Sequence, residues 1–467
     1  MRAIIKPHHF SGTVRIPASK SHTIRRLLIA SLADGTSEIE YPLDSLDAKS
    51  CVNICRGLGA KITEHRLTDS QCPNPPDTDG KKLVRYTVKG IAWKNSIPPS
   101  PLLTSPSTLL PPSLDVGNSG TTLYLALAAA ALGSCAIEFT GDEQIQKRSA
   151  APLLDALKGL GVRAESKNKN GCAPVIIQGP WKGGRVTLPC PTSQYLSALL
   201  LAAPLAPAGV VTEIDVPLLN ERPYIELTLS YLKAQGIPWE AADDFSYFKI
   251  PGGASWKPIS GKVPGDFSSA AFPGCAAAIS GGPVTLLGLD PEDPQGDKVF
   301  FEILKKMGCE VTWEKIDKDW VLTVSRSGPM KGGTFDLNAT PDMLPALAVT
   351  ASYAQGDTAL VNVAHARIKE TDRIAVMAEE LAKLGIQATE RPDGLIIHGN
   401  DAIIQNVLPQ NNVRAPEIIN GHGDHRIVMA FAAAALGTAA LIEIDSAESA
   451  AVTYPGFLEL LGAEWRD

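Results

Sequence analysis

The feature that most constrains the fold is a short pattern that returns six times along the 467-residue chain. Each copy runs from a helix-like segment through a glycine into a strand-like segment, as in LKGLGVRA and LKKMGCEV. The glycines are Gly59, Gly161, Gly236, Gly308, Gly385 and Gly462, with gaps of 102, 75, 72, 77 and 77 residues. So regular a spacing indicates repeated structural units. We expect each glycine to end a helix in the left-handed conformation, which glycine adopts without strain.

The first gap is longer because proline is dense there. Residues 73–112 hold nine prolines, and proline at that density cannot continue a helix or an interior strand. We interpret residues from about 66 to 113 as an insertion in the first repeat, with one strand, Val84–Ile91, inside it.

A second pattern precedes each glycine by about 40 residues: a small polar cluster and then an apolar run, as in GNSGTTLYLALAAAALG and GDHRIVMAFAAAALG. A run that is apolar nearly all round predicts a buried helix, and the polar cluster is typical of its N-terminus. Capping explains the serines and threonines but not every polar residue. Those left unexplained are Lys20, Arg25, Gln194, Asp342, His425 and Arg426. Lys20, Arg25 and Arg426 are cations, which oppose the dipole at a helix N-terminus. Cations at such positions indicate binding of an anionic ligand.

Composition excludes several classes of function. The net charge of −7, from 50 acidic and 43 basic residues, argues against a nucleic-acid or anionic-membrane surface. The apolar runs suit buried helices better than membrane spans. Of eight cysteines only Cys51 and Cys55 lie close together, so we expect reduced thiols in a cytoplasmic protein and no metal site.

Six segments resemble the signature motifs of the 5-enolpyruvylshikimate-3-phosphate (EPSP) synthase family, in the same order and at the repeat spacing. They are ASKSHTIRRLLIASLADG (Ala18–Gly35), GNSGTT (Gly117–Thr122), TSQY (Thr192–Tyr195), PGDFSSAAF (Pro264–Phe272), RIKETDR (Arg367–Arg373) and GDHRI (Gly423–Ile427). The resemblance runs from the N-terminus to TYPGF (Thr453–Phe457).

The resemblance implies an α/β fold of two similar domains, the inside-out barrel-like fold of enolpyruvyl transferases. Each domain would hold three repeated units of strands and a buried helix, in agreement with the six repeats. Residues 1–19 plus 260–467 would form a discontinuous domain with repeats 4–6, and residues 20–259 would form the other with repeats 1–3.

The activity that the resemblance implies is transfer of the enolpyruvyl group of phosphoenolpyruvate to the 5-hydroxyl of shikimate-3-phosphate, with release of phosphate. This reaction belongs to aromatic amino-acid biosynthesis and needs no cofactor or metal. The expected protein is a cytoplasmic monomer whose partners are these two small molecules.

The same resemblance implies the roles of individual residues. Catalysis would rest on Asp342 as the base for the hydroxyl, Glu370 near the methylene, and Lys20 as a further acid. The residues implied for shikimate-3-phosphate are Lys20, Ser21, Arg25, Thr192, Ser193, Gln194, Asp342, His365 and Lys369. Of these, Thr192 and Ser193 would bind its phosphate group. Those implied for phosphoenolpyruvate are Lys20, Gly120, Arg148, Gln194, Arg373 and Arg426.

Four positions depart from the family pattern. Tyr124 stands where arginine is usual, Glu221 replaces a phosphate-contacting serine, and Val452 replaces a lysine that contacts phosphoenolpyruvate. His365 stands where some members have asparagine. Two alternatives therefore stay open: an enolpyruvyl transferase for another phosphorylated acceptor, and a catalytically impaired homologue that only binds ligand. The UDP-N-acetylglucosamine branch is disfavoured because DEQIQKRSAA (Asp142–Ala151) lacks its loop cysteine.

Overall fold

The structure is a computed structural model that describes residues 1–67, 84–93, 112–317, 319–399, 417–438 and 441–466. The described residues form two compact units. The first unit contains Lys20–Leu67 and Val84–Val263, and the second unit contains Met1–Ser19 and Pro264–Asp467.

Twelve α-helices lie in the described residues, six in each unit. Those of the first unit are α1 (Lys20–Leu32), α2 (Leu46–Gly57), α3 (Gly120–Ala130), α4 (Ala151–Gly159), α5 (Gln194–Ala202) and α6 (Arg222–Gln235). Those of the second unit are α7 (Phe267–Ser280), α8 (Val299–Met307), α9 (Leu344–Ala351), α10 (Arg373–Lys383), α11 (His425–Ala434) and α12 (Phe457–Leu460).

The strands of the described residues are numbered in chain order. The first half of the chain has β1 (Arg2–Ile5), β2 (Gly12–Arg15), β3 (Thr36–Glu40), β4 (Lys61–Arg66), β5 (Val84–Lys89), β6 (Ser113–Asp115), β7 (Ile137–Thr140), β8 (Arg163–Ser166), β9 (Val175–Gln178), β10 (Gly184–Thr187), β11 (Val211–Asp215), β12 (Glu240–Ala241), β13 (Tyr247–Pro251) and β14 (Gly261–Lys262). The second half has β15 (Val284–Leu287), β16 (Glu310–Ile316), β17 (Asp319–Ser325), β18 (Met330–Lys331), β19 (Thr334–Asp336), β20 (Ala354–Gln355), β21 (Thr358–Val361), β22 (Ala388–Arg391), β23 (Gly394–Ile397), β24 (Glu417–Ile419), β25 (Ile442–Ile444) and β26 (Glu464–Arg466).

Six four-stranded sheets repeat one topology within the described residues. In the sheet ordered β6-β7-β9-β8, the first pair is parallel and the other two pairs are antiparallel. The remaining five sheets have the same order of one parallel and two antiparallel pairs, and each unit holds three of the six. The predicted α/β fold of two similar domains with three repeats each is therefore confirmed.

Strands from distant parts of the chain complete three of the sheets. In the first unit, β14 runs parallel to β3, with Gly261 opposite Ile39. In the second unit, β2 runs parallel to β15, and β1 lies antiparallel between β25 and β26. The discontinuous second unit is thus held by backbone hydrogen bonds between its two chain segments.

One helix of every repeat is buried nearly all round, as the apolar runs predict. All eight residues of α9 and all ten of α11 are buried. In the second unit α7, α9 and α11 pack against one another, and in the first unit α3 packs against α1 and α5. Alanine-rich runs suit this arrangement because small side chains let helix axes approach closely. Burying them supplies much of the hydrophobic stabilisation of each unit.

The other helices cover the sheets with one face only. In α8 the side chains of Phe300, Phe301 and Leu304 are buried, whereas Glu302 and Lys305 point to solvent. This helical spacing of apolar residues is that of a surface helix. All six repeat glycines have positive φ, between 69° at Gly462 and 111° at Gly59, so their predicted left-handed conformation is confirmed.

The segment interpreted as an insertion contains a regular strand of the first repeat. The predicted strand is confirmed as β5, although it ends at Lys89, and it lies between β3 and β4 in their sheet. Residue 113 already belongs to β6 of the next repeat. β5 and β6 thus complete sheets of the repeat pattern, and the extent of the insertion stays a prediction. Its stretches 68–83 and 94–111 lie outside the described residues.

Two further expectations concern membranes and cysteines. No helix among the described residues combines the length and apolar character that crossing a bilayer requires. The seven cysteines of the described residues are free thiols, and Cys72 lies outside that part of the chain.

Candidate active site

The polar residues that capping does not explain lie at the starts of the buried helices. Helix α1 begins at Lys20, α5 at Gln194 and α11 at His425. Asp342 occupies a short 3-10 turn, Pro341–Met343, directly before α9. The repeated fold therefore carries each polar cluster to the end of a buried helix.

In the second unit five residues form a connected network, here called the arginine–carboxylate cluster: Asp342, Glu370, Arg373, Asp424 and Arg426. Arg373 donates from Nη1 to Asp342 Oδ1 at 2.9 Å and from Nη2 to Glu370 Oε2 at 2.5 Å. It also donates from Nε to Asp424 Oδ2 at 2.8 Å. Arg426 Nη2 donates to Asp342 Oδ2 at 2.9 Å. One guanidinium thus joins three carboxylates, and Asp342 bridges two guanidinium groups.

Burial makes these ion pairs strong and costly to break. The side chains of Arg373 and Asp424 are 1% and 0% exposed. Burial lowers the pKa of Arg373, but Asp424, Glu370 and Asp342 outweigh it and raise the pKa above its ordinary value. Burial raises the pKa of Asp424, and Arg373 outweighs it, so the net shift is downward. Both groups are therefore charged at neutral pH.

Asp342 has three cations around it. Burial raises the pKa of Asp342, but Arg426, Lys369 and Arg373 together lower it by a larger amount. The pKa therefore lies well below the ordinary value for aspartate. The structure thus places Lys369 close enough to act on Asp342. Three cations face the three carboxylates of the cluster, so the charges balance.

Asp424 is the member of the cluster that the sequence patterns do not single out. It caps α11, accepting from Arg426 N–H at 2.9 Å, and it also accepts from Thr371 Oγ1 at 3.1 Å. An aspartate before an apolar run is typical of an ordinary N-cap. Its second role is to accept a hydrogen bond from Arg373, which lies 51 residues earlier in the chain. Only the fold shows that the two residues meet.

His365 lies in the 3-10 segment Ala364–Ile368 of the second unit. Its Nε2 lies 3.1 Å from the carbonyl oxygen of Asn338, and the ring is buried. This contact fixes the orientation of the ring, and its predicted binding of shikimate-3-phosphate stays a prediction.

In the first unit Gly120, Arg148 and Gln194 lie together. A Cβ added to Gly120 would lie 3.0 Å from Arg148 Nη1 and 3.9 Å from Gln194 Oε1. Arg148 Nη2 donates to Asn118 Oδ1 at 3.1 Å. Gln194 Oε1 is a buried oxygen with no hydrogen-bond partner in the described part of the chain, which suits a polar group that awaits a ligand.

Tyr124 supports the segment that follows Arg148. Its hydroxyl donates to the carbonyl oxygen of Ser149 at 3.1 Å, and its ring packs edge-on against Tyr195 at 4.9 Å. Tyr124 thus brings a neutral hydroxyl to a position where the family pattern has the charge of an arginine. Val452 ends a 3-10 turn of the second unit, Ala447–Val452, and brings no charge.

Arg25, one of the residues predicted to bind shikimate-3-phosphate, is almost completely buried, at 1% exposed. It donates from Nε to Thr228 Oγ1 at 2.9 Å and from Nη2 to Ser197 Oγ at 3.1 Å. Its Nη1 donates to the carbonyl oxygen of Ser21 at 3.1 Å. These contacts fix the guanidinium and place Ser21 beside it.

Thr192 and Ser193 end the loop before α5 and contact Glu221 at the start of α6. Glu221 Oε2 accepts from Thr192 Oγ1 at 3.1 Å, from Ser193 N at 3.0 Å and from Ser193 Oγ at 2.8 Å. Lys20 lies in the same unit, with Nζ 3.3 Å from Asp47 Oδ2. The sequence identifies Glu221 only as a departure from the family pattern. Its contacts with Thr192 and Ser193 are seen only in the structure.

One group of side chains has metal-ligand spacing in the described residues: Glu379, Glu380 and His422, whose ligand atoms lie within 4.8 Å of one another. Lys383 Nζ already donates to both oxygens of Glu380, at 2.7 and 2.8 Å. Because an ammonium group balances the buried carboxylate, the geometry gives no preference for a metal ion.

The fold and these clusters together define an enolpyruvyl transferase. The structure is similar to the enolpyruvyl transferase NikO from Streptomyces tendae, with a TM-score of 0.69 at 18% identity over 99% of this chain and 97% of NikO. That identity shows the fold alone. The structure is also similar to an EPSP synthase from Acinetobacter baumannii, with a TM-score of 0.75 at 28% identity over 99% and 97% of the two chains.

The sequence narrows the class to one family. The family model described as EPSP synthase (3-phosphoshikimate 1-carboxyvinyltransferase) matches residues 4–105 and 100–461. Proteins of that second name from Acetivibrio thermocellus and Ruminiclostridium cellulolyticum are 43% and 42% identical, over 97% of this chain and 95% and 96% of theirs. The chain belongs to the EPSP synthase family.

Proposed function

We propose that the protein transfers the enolpyruvyl group of phosphoenolpyruvate to the 5-hydroxyl of shikimate-3-phosphate and releases phosphate. The observation that supports this most is the arginine–carboxylate cluster, in which Asp342 and Glu370 share Arg373. A protein that only bound an anion would not need two carboxylates beside its arginines, because their negative charge opposes that of the ligand. Full-length relatives at 42–43% identity carry the name of this activity.

Arg373 and Arg426 bind the anionic groups of phosphoenolpyruvate in this proposal. A guanidinium group matches a carboxylate or phosphate with two parallel hydrogen bonds. Their carboxylate partners hold both side chains in fixed positions before the ligand arrives, which reduces the entropy lost on binding. Lys20, Gly120, Arg148 and Gln194 of the first unit stay assigned to the same substrate by the family resemblance.

Asp342 removes the proton of the 5-hydroxyl. Its pKa lies well below the ordinary value because Arg426, Lys369 and Arg373 outweigh the effect of burial, so by itself it is a weak base. Phosphoenolpyruvate bound to Arg373 and Arg426 would partly neutralise their positive charges. The pKa of Asp342 would rise as a result. The base thus gains strength when the second substrate is in place.

The proton balance of the reaction needs an acid as well. The enol methylene takes up a proton from Lys20, or from Glu370 in its protonated form, while the 5-oxygen bonds to the enol carbon. The resulting tetrahedral intermediate loses phosphate and returns the methyl proton, which restores the double bond. Glu370 lies on Arg373, so the acid and the base are fixed by one guanidinium.

The direct test is phosphate release by the purified protein given shikimate-3-phosphate and phosphoenolpyruvate. We expect multiple turnovers, unchanged by a metal chelator, from a monomer in size-exclusion chromatography. Phosphate release only with a different phosphorylated acceptor would favour the first alternative. Binding of shikimate-3-phosphate without any phosphate release would favour the catalytically impaired homologue.

Val452 provides a test of the phosphoenolpyruvate site. A charge-assisted hydrogen bond is worth about 1.5–3 kcal/mol, which corresponds to about a 10- to 150-fold change in affinity. We expect Val452→Lys to lower KM for phosphoenolpyruvate by up to that factor and to leave KM for shikimate-3-phosphate nearly unchanged. Ala451→Lys is the matched control, since Ala451 is the exposed neighbour in the same turn. If the wild-type KM is already low and the variant does not improve it, another group has replaced the missing lysine.

Gly120 tests the contact with Arg148. A Cβ at position 120 would lie 3.0 Å from Arg148 Nη1, closer than a methyl group tolerates without displacing the guanidinium. We expect Gly120→Ala to raise KM for phosphoenolpyruvate about tenfold, or about 1.4 kcal/mol, with a small change in melting temperature. Gly328→Ala is the control because its added Cβ would meet no atom within 4 Å. An unchanged KM would mean that Arg148 does not contribute to binding phosphoenolpyruvate.

A further inference from the structure

Glu221 is a buried carboxylate in a backbone conformation that non-glycine residues seldom adopt. It is 2% exposed, with φ 59° and ψ 40°, and it directly precedes α6. The left-handed region is unfavourable for a residue with a side chain. The contacts of its side chain must offset that cost.

Those contacts take up the hydrogen-bond donors of Thr192 and Ser193. Glu221 Oε2 accepts from both hydroxyls and from the backbone N–H of Ser193, all at 2.8–3.1 Å. A hydroxyl group has one proton to donate. While both protons point at Glu221, the two hydroxyls offer only lone pairs to a ligand.

Arg25 makes the same region attractive to an anion. Its hydrogen-bond acceptors among the described residues are uncharged: the hydroxyls of Thr228 and Ser197 and the carbonyls of Ser21 and Tyr224. Burial lowers the pKa of Arg25 to about 10, while the fields of Tyr231, Tyr224 and Glu221 raise it. Arg25 is therefore a buried cation with Glu221 as a nearby counter-charge and without an ion pair to it at hydrogen-bond distance.

We propose that Glu221 is a specificity-determining residue that competes with the phosphate of the acceptor for the donors of Thr192 and Ser193. The inference rests on the proposed function, in which these two residues bind that phosphate. A phosphate dianion and the Glu221 carboxylate require the same three protons, and they repel each other. Phosphate binds when Glu221 releases the donors and turns its carboxylate away, so part of the binding free energy is lost to this exchange.

The contribution of the phosphate group to affinity is given by a ratio of two dissociation constants, that of shikimate divided by that of shikimate-3-phosphate. It is measured by calorimetry in binary complexes, without turnover. We expect Glu221→Gln, which removes the charge at nearly constant size, to raise this ratio about tenfold. Glu221→Ser, which removes the competing acceptor as well, should raise it about 10- to 100-fold, as for one charge-assisted hydrogen bond regained.

Glu226→Gln is the matched control. Glu226 lies on the same helix, is exposed, and pairs with Arg222 at 3.0 Å. We expect its ratio to equal that of the wild type. Glu221→Gln also covers the case in which Glu221→Ser fails to fold.

Inorganic phosphate separates this inference from the proposed function. Removing Glu221 leaves Arg25 with less negative charge nearby, so both variants should melt at a lower temperature. Added phosphate should raise that temperature more than it does in the wild type. Added phosphate could raise the melting temperature of the variants more than that of the wild type while shikimate-3-phosphate binds no better than shikimate. In that case shikimate-3-phosphate is not the acceptor, but Glu221 does compete with phosphate.

Two results would overturn the competition itself. An unchanged ratio in both variants, with shikimate-3-phosphate still preferred over shikimate, would mean that Glu221 does not meet the phosphate. A lower ratio would mean that Glu221 holds Thr192 and Ser193 in place for the phosphate, as a brace.

Discussion

Asp342→Asn should lower kcat by about 10²- to 10⁴-fold, the usual contribution of a general base. Asparagine keeps the size of the side chain and one oxygen for Arg373 or Arg426, but it cannot accept the proton of the 5-hydroxyl. Because the loss is in chemistry, the dissociation constant of shikimate-3-phosphate should change only a few-fold. Steady-state kinetics and calorimetry on the same preparation measure the two effects separately.

A loss of folding must be distinguished from a loss of catalysis. Asp336→Asn is the control because Asp336 is exposed, lies six residues earlier, and accepts hydrogen bonds from Asn338 N and Asn362 Nδ2. Its kcat should stay within a factor of two of the wild type, and both variants should have similar circular dichroism spectra. If Asp342→Asn retains kcat within a few-fold, another group is the base.

The repeat architecture was readable from the sequence because each of its determinants is local. A glycine after an amphipathic helix and an apolar run after a polar cluster are consequences of backbone geometry and burial within one segment. Gly236 and Gly308 illustrate this, since each ends its helix with φ of 70° and 105°.

The contacts inside the candidate site were not readable in the same way. Asp424 and Arg373 are 51 residues apart, and Glu221 and Ser193 are 28 apart, so no local pattern pairs them. An aspartate at an N-cap and a glutamate before Arg222-Pro223 have ordinary local explanations. Their partners depend on which helix ends the fold brings together, and the roles assigned by resemblance stay predictions for the experiments above.

Arg373→Met should be the most destabilising single change in the second unit. Methionine has a similar length but leaves Asp424, which is 0% exposed, without its guanidinium partner. Removing one partner of a buried ion pair costs about 3–5 kcal/mol, because the other charge stays buried. For a unit of this size we expect the melting temperature to fall by about 6–20 °C. Arg185→Met is the control: that arginine is 62% exposed and its ion pair with Asp215 is screened by water, so the melting temperature should change little.

The dependence on pH identifies the cause of this loss. Arg373 lowers the pKa values of Asp342 and Asp424 in the folded protein, so in the wild type their stabilising effect is present above the unfolded pKa of about 3.9. It is lost as the pH falls through their folded values. Without Arg373 both folded pKa values rise, and protonation relieves the buried charges at a higher pH. The difference in unfolding free energy between wild type and variant should therefore shrink from pH 7 to pH 4, and Asp424→Asn should recover part of it when added to Arg373→Met. A difference that stays constant over this range would mean that lost packing, and not unpaired charge, destabilises the variant.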